Sequence, residues 1–205
     1  MAMDRFPAEE RGRIERTFAA LRPRGVDPVF VANRNEALAN ILARIPKGAN
    51  VAHGSSTTLT QVGFVEYMKR PDSGYRYLNA EWTKEHDPAN RARLRARLTM
   101  EADFYLGSVQ AICETGEVIA ADAGGSRQVG YVYGPPHVIW AAGTNKLVPT
   151  VEAGFRRLRE VALPLEDQRM KDAGAPGSSI GKIVIYERER PGRISLVLVG
   201  EALGF

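Results

Sequence analysis

Three short stretches of this 205-residue chain carry residue types suited to chemistry. In VAHGSSTTLTQVG, residues 51–63, a short apolar run gives way to Gly54 and four consecutive hydroxyl residues, Ser55, Ser56, Thr57 and Thr58. Such a row at the head of a helix suits an anion. The first helical amides have no intrahelical partner, the helix dipole is positive there, and glycine lets a ligand approach the backbone. The same residues also serve as ordinary caps, and the stretch is neither a Walker loop nor GxGxxG. In CETGEV, residues 113–118, Glu114 and Glu117 flank a tight turn, and Asp122 ends the next run before AGGSR. A carboxylate at a strand-turn edge acts as base, nucleophile or acceptor for a ligand hydroxyl, or is simply solvated. In GTNKLVPT, residues 143–150, Asn145 and Lys146 follow an apolar run. Lysine there neutralises a phosphate or carboxylate, while asparagine orients the ligand or bonds to nearby backbone.

Other chemistries find less material. His53, His86 and His137 show no metal-ligand spacing with one another or with the single cysteine, Cys113, so no metal site is expected. Without a CxxC pair the chain cannot build a cysteine-ligated iron-sulfur cluster by itself. Cys113 reads as a small buried apolar residue. The net charge of +4 favours anionic ligands without amounting to a nucleic-acid signature. Arg91, Arg93, Arg95 and Arg97 recur at every second position, which on a helix spreads them around the cylinder as a solvated surface. The longest apolar run, around VIWAAG, is too short to span a bilayer, and no leader-like segment opens the chain. A reducing, cytoplasmic location without nucleic-acid or membrane partners is the expectation.

The elements that must position these residues follow from periodicity. Ile14, Phe18 and Leu21 mark a first helix that stops at Pro23 and Gly25. Asn33 and Glu36 cap a second, with Leu38, Ile41, Leu42 and Ile45 on one face. ANVAHG reads as a strand, and Thr58 with Gln61 as a capping box for a helix bearing Leu59, Val62, Val65 and Met68. YRYLNAEWTKEH is poorly legible; Asp87 and Pro88 then start another helix. Strands follow in ADFYLGSV, in AICETGEVIAAD around a Thr115-Gly116 turn, and in PHVIWAAG. TVEAGFRRLREVAL is an amphipathic helix, with Val161 or Ala162 on its apolar side. The closing segment offers two strands joined through Pro191-Gly192. Together these predict an α/β fold of three layers, a mixed sheet flanked by helices, with ligands beyond the carboxyl ends of the strands. Residues 1–29 are expected to form a helical segment packed on a single globular domain of residues 30–205.

In order and spacing, HGSSTTLTQVG, ADFYLGSVQAICETGEVI, GPPHVIWAAGTNKLV and LVLVGEALGF resemble the lactate-utilisation (LUD) domain family, LutC/YkgG type, from about residue 30 to the end. The resemblance implies a fold like that of the ribose-phosphate isomerase and CoA-transferase superfamily. It also implies a part in oxidising L-lactate to pyruvate beside iron-sulfur partner proteins. Its Ser-Ser-x-Thr-Leu element falls on Ser55 to Leu59, its Glu-Thr-Gly element on Glu114 to Gly116, and its Asn-Lys element on Asn145 and Lys146. Some relatives carry a cysteine-rich segment where residues 168–195 here have no cysteine, so any redox cofactor must come from a partner. The leading expectation is a non-redox component that binds a small anionic metabolite or nucleotide-like ligand among Gly54, Ser55, Ser56, Thr57, Thr58, Asp122, Asn145 and Lys146. Two alternatives remain. One is a stand-alone isomerase or acyl-transfer enzyme with Glu114 as catalytic base or nucleophile. The other is a regulatory module without turnover.

Overall fold

The computed structural model describes residue 3 and residues 6–205. Its frame is a wholly parallel sheet of six strands. Their order is β1 (Val26–Val31), β10 (Ile194–Val199), β7 (His137–Gly143), β4 (Phe104–Gly107), β2 (Asn50–His53) and β3 (Arg76–Tyr77). Strands buried on both faces read as near-continuous apolar runs, which is why VIWAAG and LVLV carry no polar alternation. Their side chains still alternate in space. Val138, Trp140, Ala142, Leu196 and Leu198 enter one core cluster, while Ile139, Ala141, Val197 and Val199 enter another on the opposite face.

Helices cover both faces. Helix α1 (Ala8–Leu21) buries Ile14, Phe18 and Leu21 in the first cluster. Helix α2 (Arg34–Arg44) packs Ala37 and Ile41 into the second. Its cap forms where the spacing predicts it: the Asn33 side chain accepts from the amides of Asn35 and Glu36, and Glu36 accepts from the amide of Ala32. Helix α6 (Pro88–Glu101) likewise starts at Asp87, whose carboxylate accepts from the Asn90 amide.

Between these, the single helix expected over Leu59 to Met68 divides into α3 (Thr57–Gln61) and α4 (Phe64–Lys69). Gly63 adopts φ +80°, a left-handed conformation that ends one helix and redirects the next. The capping box expected of Thr58 and Gln61 does not form. Ser56 is the N-cap, its hydroxyl accepting from the Leu59 amide at 3.2 Å, and Gln61 instead accepts from the Gly204 amide at 2.7 Å. YRYLNAEWTKEH supplies β3 and the single turn α5 (Asn79–Trp82).

The α/β architecture stands, but its mixed character lies in a second sheet of four strands. These are β8 (Leu147–Val148), β5 (Ala111–Cys113), β6 (Val118–Asp122) and β9 (Lys182–Tyr186), in that order. Strand β5 runs parallel to β8 and antiparallel to β6, which is antiparallel to β9. Strands β9 and β10, joined through Pro191-Gly192, therefore belong to different sheets. Helix α7 (Ser126–Gln128) and a π-type turn over Val129–Tyr133 lead back to the parallel sheet. Helix α8 (Val151–Arg157), a π-type turn over Leu158–Ala162 and helix α9 (Leu163–Asp172) complete the chain of elements. Leu158 and Ala162 pack on Ala111, Cys113, Ile119 and Val148; Ala162 is the inward residue and Val161 is exposed.

Arg193 locks the two sheets' connections. Its buried guanidinium donates to the carbonyls of Tyr131 at 2.8 Å, Pro135 at 3.1 Å and Gly130 at 3.2 Å, and pairs with Glu189 at 2.6 Å. A buried cation needs that full set of acceptors. No helix among the described residues is long and apolar enough to cross a membrane.

Leu198 is fully buried in β10, the strand held between β1 and β7. Leu198→Ala is expected to cost about 2–5 kcal/mol in urea denaturation, against a near-neutral Leu165→Ala at an exposed position.

Candidate functional site

Because the large sheet is parallel, β2, β4, β7 and β10 end at one edge. The segments that follow them wall a cavity of about 350 Å³. Ser55, Ser56, Thr57 and Thr58 come after β2, Ser108 and Gln110 after β4, Lys146 after β7, and Gly204 and Phe205 after β10. The facing wall comes from Asp122 at the end of β6, Arg127 of α7, and Glu166 and Arg169 of α9, with Arg95 of α6 beside them. This is the crevice beyond the strand ends where open α/β sheets hold ligands.

Lys146 is the buried basic residue of this wall. The side chain is 1% exposed. Its Nζ donates to Ser108 Oγ at 2.8 Å and to Thr58 Oγ1 at 3.2 Å. No carboxylate pairs with it among the described residues. Burial holds its pKa well below the ordinary lysine value, and the charges of Arg157 and Arg127 push the same way. Both effects weigh against the charged form relative to a lysine in water. The structure places Lys146 on the wall of this crevice, with its side chain buried.

The last residues close over it. Leu203 donates its amide to Asn145 Oδ1 at 3.1 Å, and Asn145 Nδ2 donates to the Gly204 carbonyl at 3.2 Å. With Gln61 holding the Gly204 amide, this segment lies against Thr58 and Lys146 so closely that a Cβ at Gly204 would strike the Thr58 hydroxyl. Asn145 therefore orders the cover of the cavity and does not line it. Arg157 braces the same corner, donating to the carbonyls of Asn145 at 3.0 Å and Gln110 at 2.5 Å.

Asp122 does line the cavity, with both oxygens engaged: Oδ1 accepts from the Gly125 amide at 2.7 Å and Oδ2 from the Arg127 amide at 3.0 Å. Its work is to fold the AGGSR loop and present Arg127. That guanidinium donates to Ala121 O at 3.2 Å and Ser55 O at 2.8 Å, tying the hydroxyl loop to β6. Gly54 is buried behind the loop, its amide donating to Leu106 O at 3.0 Å.

Glu114 lies elsewhere. It is half-buried against α1, paired with Arg13 at 2.7 Å and Arg16 at 3.1 Å, and it does not line the cavity. The hairpin explains the separation. Its turn sits at the start of β6 and the cavity at the end, roughly 13 Å further along an extended strand. Glu117, at the same turn, pairs with Arg24 at 2.5 Å. Cys113 is buried and its thiol is pushed up to about 12, chiefly by burial, which keeps it un-ionised. His53 Nδ1 lies 2.8 Å from the Gly54 carbonyl and Nε2 lies 2.7 Å from the Tyr77 hydroxyl. Burial lowers its pKa, so it packs as a neutral ring donating from Nδ1 and accepting at Nε2. No cluster of metal-ligating residues occurs among the described residues.

Sequence reasoning missed several polar members of the wall, Ser108, Arg95, Arg127 and Arg169 among them. Ser108 stands just past a strand end, the one signal that marked it. Arg95 was one of four evenly spaced arginines, yet it precedes the buried Leu98 by three residues and Thr99 by four, which puts it on the inner face of α6. Arg127 comes from a segment read as a loop, and Arg169 from one that follows the last helix read in the sequence. Arg95 and Arg127 each retain a buried Nε without a hydrogen-bond partner.

Two outcomes are expected. Glu114→Gln should lower stability by ~1 kcal/mol or less in a thermal or urea melt, since its partners are partly solvated, and should leave ligand affinity at the cavity unchanged. For Lys146 the folded state binds fewer protons than the unfolded chain, so its burial penalises folding at neutral pH. That penalty shrinks as pH rises toward the ordinary lysine value of 10.5. Urea titrations should show Lys146→Met more stable relative to wild type at neutral pH than near pH 10.5; a pH-independent difference would contradict a depressed pKa.

A family model described as the LUD domain matches residues 14–199 of the chain. Among solved structures, the crystal structure of a DUF162 family protein from Deinococcus radiodurans aligns with a TM-score of 0.56 at 12% identity. The alignment covers 95% of this chain and 100% of that one, a likeness of fold. No curated protein matches.

Proposed function

Since the chain belongs to the LUD-domain family, we propose that it binds a small anionic metabolite in the cavity beyond its parallel strands, as a non-redox component of a system oxidising L-lactate to pyruvate. The observation that carries the binding is the composition of that cavity. Arg95, Arg127, Arg169 and Lys146 converge there with the hydroxyls of Ser55, Ser56, Thr57, Thr58 and Ser108. Its two acidic residues are already engaged, Asp122 by backbone amides and Glu166 by Arg169 at 2.7 Å. A carboxylate or phosphate entering the cavity meets guanidinium and hydroxyl donors of the kind that recognise such groups. The lactate role and the LutC/YkgG type rest on the sequence resemblance. With no CxxC pair in the chain, electrons would pass through iron-sulfur proteins acting as partners. The buried thiol of Cys113 suits a reducing cytoplasm.

The rival reading, an acyl-transfer or isomerase enzyme using Glu114, gains nothing from the geometry, because that carboxylate is held by Arg13 and Arg16 outside the cavity. Thermal shift of the purified chain against lactate, pyruvate, sugar phosphates, nucleotides and CoA esters tests the proposal. A ligand at about 100 times its Kd should stabilise the fold by ~2.7 kcal/mol, on the order of 5–10 °C in Tm, and Arg127→Ala should abolish the shift. No shift with any of these compounds would remove the binding proposal, and growth on L-lactate unaffected by loss of the gene would remove the lactate role.

A further inference from the structure

We propose that Lys146 condenses with the carbonyl carbon of a small 2-oxo acid in the cavity to form an imine, with Ser108 and Thr58 relaying the protons. This rests on the anion-binding reading above and narrows the anion to one whose carboxylate adjoins a ketone or aldehyde.

Three features of the cavity point to it. Lys146 Nζ faces hydroxyls only, Ser108 Oγ at 2.8 Å and Thr58 Oγ1 at 3.2 Å, with no acid to keep it charged. A lysine that served as a counter-ion or structural cation would need a partner for its buried charge; an amine that serves as a nucleophile needs to lose that charge. The two hydroxyls are themselves linked, Thr58 Oγ1 donating to Ser108 Oγ at 3.2 Å, and a rotating hydroxyl both gives and takes a proton. Finally, Arg95 and Arg127 line the same cavity. Their guanidinium groups suit the carboxylate of the substrate.

The step balances without an oxidant or reductant. The Nζ lone pair attacks the carbonyl carbon as the C=O electron pair moves to oxygen. A proton passes from nitrogen to that oxygen through Ser108, giving a carbinolamine. The remaining proton on nitrogen then passes through the same relay to the hydroxyl, which leaves as water while the nitrogen lone pair forms the C=N bond. One amine and one carbonyl become one imine and one water.

Incubating the purified full chain with pyruvate or glyoxylate and sodium cyanoborohydride, followed by intact mass and peptide mapping, tests this. The expected result is one reduced adduct per chain, on Lys146, and none with lactate or propionate. Lys146→Met, its fold checked by circular dichroism, should give no adduct. Ser108→Ala keeps the amine and should slow labelling on the order of 10²-fold. Adducts confined to the exposed Lys47, Lys69, Lys84, Lys171 and Lys182 would overturn the inference. A thermal shift with these acids but no adduct on Lys146 would overturn the imine while leaving anion binding in place. Neither shift nor adduct would defeat both.

Discussion

A parallel sheet needs both faces covered, because its strands are apolar on both sides and cannot meet water on either. That requirement organises this chain. Helices α2, α3 and α4 cover one face, while α1, α6 and the second sheet cover the other. It also sets where chemistry can occur. Every strand of the parallel sheet runs the same way, so the segments leaving β2, β4, β7 and β10 gather at one edge, bringing residues 55, 108, 146 and 204 together from four separate parts of the chain.

The second sheet turns this edge into a cavity. Strand β6 delivers Asp122 to the rim, Asp122 folds the following loop, and that loop returns Arg127 to the Ser55 carbonyl. The hydroxyl loop, the guanidinium and the second sheet are thus one hydrogen-bonded unit. The same hairpin points its turn the other way, where Glu114 and Glu117 fasten α1 and the segment after it through Arg13, Arg16 and Arg24. One end of the hairpin is structural and the other faces the cavity.

Lys146 is where burial and charge oppose each other. Burying an amine without a counter-ion disfavours the charged form and costs folding free energy at neutral pH. The surrounding structure holds it there: β7 fixes the backbone just before it, Asn145 and Gln61 fasten the chain's last residues over it, and Ser108 and Thr58 satisfy its hydrogens. An expense of this kind at a cavity wall is characteristic of a functional group.

Local chemistry was legible in the sequence where a few neighbouring residues settle it. The Asn33 and Asp87 caps, the inner face of α1 and the apolar strands follow from spacing alone, since caps and periodicity involve residues within one or two turns. The hydroxyl row, Asp122 and Lys146 were recognisable as candidates because polar residues stand directly after apolar strands. Tertiary structure decided the rest. Whether β9 pairs with β10 or with β6 depends on partners about sixty residues away, and nothing in a strand's own pattern names its neighbour. Glu114 and Asp122 look alike on paper, one carboxylate in the turn of a hairpin and one at the end of its second strand; only the packing of α1 against the turn and the cavity at the other end separates them. The burial of Lys146, which lowers its pKa, arises from four converging segments, and one-dimensional spacing does not record convergence.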